Sequence, residues 1–198
     1  MFCGSRPTEQ QIRAPLARQQ GQDFSYPEVG SSRGQLPRRY AVLHKRANIG
    51  QGSATFERSM EAVSKWKMFG LPGIWLCWPN VPVRAGSTVA VVIRHFGFWS
   101  LNCCRIVYVV DDEDGTVRRY GFAYGTLPEH AERGEERFTV EWDRTSDLVL
   151  YDILSFSRPA NLQTQLAYPV ARWLQRRFVR DSVAAMIRAV QPHNLVSL

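Results

Sequence analysis

A chain of 198 residues, 44% hydrophobic and 12% aromatic, is long and apolar enough to bury a core of its own, which excludes a wholly disordered protein. Its four cysteines form no CxxC pair and no spaced His/Cys set, which argues against a metal site or a disulfide framework and for reduced thiols in a cytoplasmic protein. The net charge of +7 is concentrated toward the two ends of the sequence, in Arg6, Arg13, Arg18, Arg33, Arg38 and Arg39 and again in Arg172, Arg176, Arg177, Arg180 and Arg188.

Residues 1–23 are rich in Gln, Arg and Pro and read as a disordered basic tail, with neither the apolar core of a signal peptide nor a run long enough to span a membrane. Ordered structure is expected from about Phe24. Pro27, Gly30, Gly34 and Pro37 make 27–38 an extended loop. Tyr40–Ala47 reads as a first strand, and Gly50 and Gly52 as a turn. Ser53 is a candidate N-cap for an amphipathic helix over 54–68, which ends before Gly70 and Pro72. Six β-branched and aromatic segments follow: 73–78, 87–96, 102–111, 117–126, 135–142 and 147–157. The short turns between them include Pro79-Asn80 and the hairpin signal Asp114-Gly115. Cys103 and Cys104 are adjacent and should point to opposite faces of one strand. After Pro159 the period changes to that of a helix over 168–190, opposed to a short tail at 191–198.

The expected architecture is therefore α+β: one domain over 24–190, with a curved antiparallel sheet of about six or seven strands wrapped on a long C-terminal helix. The order strand, helix, six strands, long helix resembles the helix-grip fold of START and birch-pollen-allergen-like proteins. In that fold a second short helix follows the first, and here only Trp66 to Leu71 offers a place for it.

Alternation on the strands groups the candidate site residues. Tyr120, Phe122 and Tyr124 share one face of their strand; Glu136 and Phe138 share one face of theirs; His95 continues the apolar face of 87–96. If these faces point inward, Glu136, Tyr124 and His95 become polar groups on an apolar wall, where a carboxylate acquires a perturbed pKa and can orient a ligand or act as an acid or base. Each has a plainer reading as well: Glu136 reaching solvent, Tyr124 satisfied in a core, His95 a rim histidine. His130, in the polar turn 127–134, is either a ligand contact or a turn-shaping residue. Arg158 is either a clamp for an anionic group or a structural ion-pair partner. Ser157 lacks a nucleophile elbow, and the glycines of 48–52 lack the Lys-Ser/Thr of a phosphate loop.

The stretch GFAYGTLPEHAERGEERF at 121–138 is distinctive. Together with YPEVG at 26–30, NIGQG at 48–52, CRIVYVVDD at 104–112 and SFSRPA at 155–160, it resembles uncharacterised protein family 0548 over residues 24–190. That resemblance implies a domain boundary and a family label, and no catalytic residues. The residues point first to a protein that holds a small, largely apolar or aromatic molecule between sheet and helix, with no cofactor. An enzyme on the same scaffold using Glu136 or His130 is the alternative. An adaptor for nucleic acid or a membrane surface, through the basic helix, is the second alternative. Nucleic acid is disfavoured, because the arginines are not interleaved with aromatics in a recognition motif.

Overall fold

The computed structural model describes residues 1–78 and 80–191. Most of the expected 191–198 tail and Pro79 of the Pro79-Asn80 turn lie outside the described residues. The strands are β1 (Phe2–Cys3), β2 (Ala41–Gln51), β3 (Ile74–Cys77), β4 (Thr88–Arg94), β5 (Trp99–Asp114), β6 (Val117–Thr126), β7 (Glu132–Asp143) and β8 (Leu148–Pro159). The helices are α1 (Glu9–Gln19), α2 (Ser53–Ser64), α3 (Leu162–Leu166) and α4 (Tyr168–Val190).

The strands form one antiparallel sheet in the order β2-β8-β7-β6-β5-β4-β3, with β1 paired to the start of β5. Strands β3 to β8 are a meander, and β2 closes the far side against β8. Register shifts between Ile106 and Tyr108 and between Asn48 and Gly50 mark bulges, which increase the local twist and bend a strand. The concave face packs on α2 and α4. Phe56 and Val63 from α2, Met186 and Val190 from α4, and Phe122, Phe138, Tyr151 and Ile153 from the sheet are all buried in this main core. The expected order is thus realised as a sheet gripping its C-terminal helix. The short element after α2 is a single 3-10 turn, Lys67–Phe69. Strand β2 runs on through Gly50, the first of the two glycines expected to form a turn, and Gly52, not Ser53, is the N-cap of α2, at φ 82°.

Residues 1–23, expected to be a disordered tail, are ordered. The reason lies on the other face of β4 and β5, where Ala90, Val92, Leu101 and Cys103 form a second apolar surface that needs cover. Helix α1 supplies it with Ile12 and Leu16. Thr8 and Gln11 form a capping box at its start, and Arg105 holds the Gln19 and Gln20 carbonyls at its end, at 2.8 and 2.7 Å. Two arginines of this segment stack on tryptophans: Arg6 on Trp75 and Arg13 on Trp78. Cys103 and Cys104 do point to opposite faces, one into each core.

The loop before β2 is also held. Glu135, only 2% exposed on the convex face, accepts hydrogen bonds from the Tyr26 hydroxyl (2.6 Å), the Gly30 amide (2.7 Å), the Ser32 amide (3.1 Å) and the Ser32 hydroxyl. One carboxylate thereby straps residues 26–32 onto the sheet. Gly125 lies beneath the strap, where a Cβ would stand 2.3 Å from the Tyr26 hydroxyl oxygen.

Candidate functional site

At one end of the concave face the wall changes from apolar to polar. Strand pairing sets Tyr124 of β6 opposite Glu136 of β7, and Glu136 opposite Ser155 of β8. The Tyr124 hydroxyl donates to Glu136 Oε2 at 2.7 Å. Two residues further along the same face of β8, Ser157 accepts from Gln175 Nε2 at 3.0 Å, and the same amide donates to Glu132 Oε2 at 2.5 Å. Gln175 thus ties α4 to two strands. On the β4–β5 side, Ser100 Oγ meets His95 Nε2 at 2.8 Å and accepts from Asn102 Nδ2 at 2.9 Å.

Glu136 and Ser155 lie in strands paired on both sides, so their backbones are shielded. Both residues nevertheless remain only half-buried. The surface that stays accessible therefore lies on the side chains, on the face of the sheet that packs against α4, and marks a shallow recess in that packing. The aromatic rings of Phe69, Phe138 and Phe178 flank this recess, with centroids 5.4 to 6.4 Å apart. Beyond its Tyr124 bond, Glu136 has no other hydrogen-bond or ion-pair partner among the described residues.

The electrostatics follow from this setting. Burial pushes Glu136 up to about 7; the Tyr124 bond pulls the other way, and Glu132 adds to the rise. Burial also raises Glu132, opposed by its bonds to Gln175 and Ser157. Tyr124 is driven well above its ordinary value by burial and by the neighbouring Glu136. The carboxyl group is therefore poised to exchange a proton near neutrality, beside a phenol that stays protonated.

The candidate residues separate by position. Tyr124 and Glu136 come together as a hydrogen-bonded cross-strand pair. Tyr120 is on the same face but four residues away along β6, half-buried against the core. Phe122 and Phe138 are fully buried; Phe122 packs on Trp66 at 4.4 Å between ring centroids, as a core residue does. His95 stands at the rim, stacked on Phe98 at 4.7 Å, with its pKa lowered by burial. The ring of His130 accepts the Glu132 amide at Nδ1, 2.9 Å, and burial lowers its pKa to about 4, so it is a neutral turn-shaping residue in this fold. Arg158 is not brought to the recess: it stacks on Tyr40 on the convex face, at 4.7 Å.

Glu132, Ser155 and Gln175 are the wall residues that sequence reasoning missed. Beginning this strand at Glu135 cut off Glu132, although Glu132 and Glu136, four residues apart, are in phase in a period of two. Gln175 carried no signal of its own. Among the described residues no helix is long and apolar enough to cross a membrane.

A family model described as "Domain of unknown function (DUF1990)" matches residues 25–185. A UPF0548 protein of Dictyostelium discoideum is 35% identical over 96% of this chain and 96% of its own. One from Deinococcus radiodurans is 37% identical over 96% of this chain and 98% of its own. Among solved structures, human STARD10 aligns with a TM-score of 0.46 at 9% identity, covering 93% of this chain and 81% of its own.

Proposed function

The chain belongs to the DUF1990 family, whose activity is unknown, and we propose that it holds a small, largely apolar or aromatic molecule in the recess between the sheet and α4, anchored by Glu136 and Tyr124. The observation that carries this reading is the accessible side-chain surface of Glu136 and Ser155, in strands paired on both sides, on the face that packs on α2 and α4. Sites of this kind combine apolar walls with a few convergent polar groups. An apolar ligand gains by leaving water, and the carboxyl–phenol pair fixes its orientation through one polar atom.

Native mass spectrometry of the full chain purified from its source organism, before and after denaturation, tests the reading. A stoichiometric small molecule, lost in Glu136→Gln or Tyr124→Phe, is the expected result. A protein that carries nothing, and whose melting temperature responds to no member of a panel of apolar acids, amines and aromatics, would count against it.

A second reading rests on the same pair. A carboxyl group near pKa 7 beside a protonated phenol has the makings of a general acid or base, so the bound molecule would be turned over as well as held. Glu136 carries this role better than His130, whose ring already accepts a backbone amide. Chemical change of the released molecule on incubation with protein, abolished by Glu136→Gln, distinguishes a catalyst from a carrier.

A further inference from the structure

We propose that the rim of the recess docks on an anionic lipid bilayer. The rim is made by the β4–β5 turn on one side and by α3 with the start of α4 on the other. Large apolar side chains stand out into water on both sides: Phe96 is 75% exposed, Leu162 79% and Leu166 87%. Val170 and Trp173 of α4 are about half exposed, at 50% and 49%. Phe96 and Trp173 lie 6.2 Å apart between ring centroids, so the two sides form one patch. The convex face of β4 and β5, by contrast, is covered by α1. A contiguous exposed apolar patch of this sort marks an interaction surface.

Charge identifies the occupant. Val170, Trp173, Arg177 and Arg180 recur at helical spacing and share one stripe of α4, apolar at its start and basic further along. Arg176, Arg177 and Arg180 are exposed, and Asp181, the only acidic residue of α4, is shared by two of them. A second copy of this chain laid on the patch would bring arginine against arginine. Single-stranded nucleic acid would find arginines and the two rings of Phe96 and Trp173, but Leu162, Leu166 and Val170, which make up the rest of the patch, offer it no stacking surface. An anionic bilayer satisfies both halves: Leu166, Val170 and Trp173 enter the boundary between headgroups and acyl chains, and the arginines lie level with the lipid phosphates. Tryptophan favours that interface. Docked so, the mouth of the recess opens toward lipid, and an apolar molecule enters without crossing water.

The test is sedimentation of the full chain with vesicles of phosphatidylcholine alone and of phosphatidylcholine with phosphatidylserine, at low and high salt. Binding to the serine-lipid vesicles that weakens with salt is expected, with little binding to the neutral ones. The double variants Leu166→Glu/Trp173→Ala and Arg176→Glu/Arg177→Glu should each lower the partition coefficient by more than about tenfold with unchanged melting temperature. If the first of these melts early, Phe96→Ser, a single change at an exposed turn, takes its place. Absence of binding to either vesicle overturns the proposal, as does binding that these variants leave intact. A wild-type dimer in sedimentation equilibrium that becomes monomeric in the Trp173 variant overturns it too, by showing that a second copy covers the patch.

Discussion

Tyr124 and Glu136 are cross-strand partners, and the phenol donates to a carboxylate that has no cation among its described partners. The charged form of Glu136 is therefore disfavoured in the folded state. Its pKa rises from an ordinary 4.5 to about 7, so the folded protein binds more protons than the unfolded chain between these values. Stability attributable to this group is fully present below about pH 4.5 and is lost as pH rises through about 7. Glu136→Gln, which carries no charge, should be more stable than the natural protein by about 1–2 kcal/mol at pH 8, a figure discounted for the accessible side chain, and no more stable at pH 4.5. Urea unfolding of both proteins across this range measures the difference. His130, lowered to about 4, acts with the opposite sign, and it cancels in the comparison because both proteins contain it.

Core and recess respond differently to substitution. Phe122 is fully buried against Trp66, so Phe122→Ala should cost about 3–5 kcal/mol. Ser155 keeps some accessible surface, so Ser155→Leu should cover the proposed site, with a change in stability within about 1 kcal/mol and loss of the small molecule. Chemical denaturation and native mass spectrometry of the two variants check both halves.

Glu135 gathers donors from Tyr26, Gly30 and Ser32 onto one buried carboxylate. Glu135→Ala strands those donors, and a loss of about 3–5 kcal/mol is expected. Tyr26→Phe removes one bond and should cost about 1–2 kcal/mol. Hydrogen exchange at the Gly30 and Ser32 amides should accelerate most in Glu135→Ala.

Gly125→Ala attacks the same strap from below, since its Cβ would meet Tyr26 and Phe24 within 3 Å. Faster exchange over residues 24–32, with protection of β6 and β7 largely kept, is the expected pattern. Equal loss over the whole sheet would show that the strap and the sheet open as one unit.

The sheet and its helix were legible because period-two alternation from Val117 to Ser157, broken by recognisable turns, admits little besides an antiparallel meander. The pairing of Tyr124 with Glu136 was half legible: alternation put each on an inner face, but register across two strands is set by the turn at 127–131, whose geometry sequence does not display. The ordered N-terminus was missed because its polar composition hides the spacing of Ile12 and Leu16 and the box formed by Thr8 and Gln11. Its order is also imposed from a distance, by an apolar face on β4 and β5. Arg158 looked available for a ligand until β8 turned it to the convex side, beside Tyr40.

Strand β2 is synthesised early, yet among the described residues its only strand partner is β8, where Ala41 meets Ser157 and Gln51 meets Leu148. On the ribosome, the meander from β3 onward can grow hairpin by hairpin, while β2 and the strap before it wait for the last strand to emerge. Closing that long loop carries the entropy cost of a distant contact and delays completion of the fold. A chain halted before β8 would leave β2 as an unpaired edge, so premature termination should give an aggregation-prone fragment in place of a smaller folded domain.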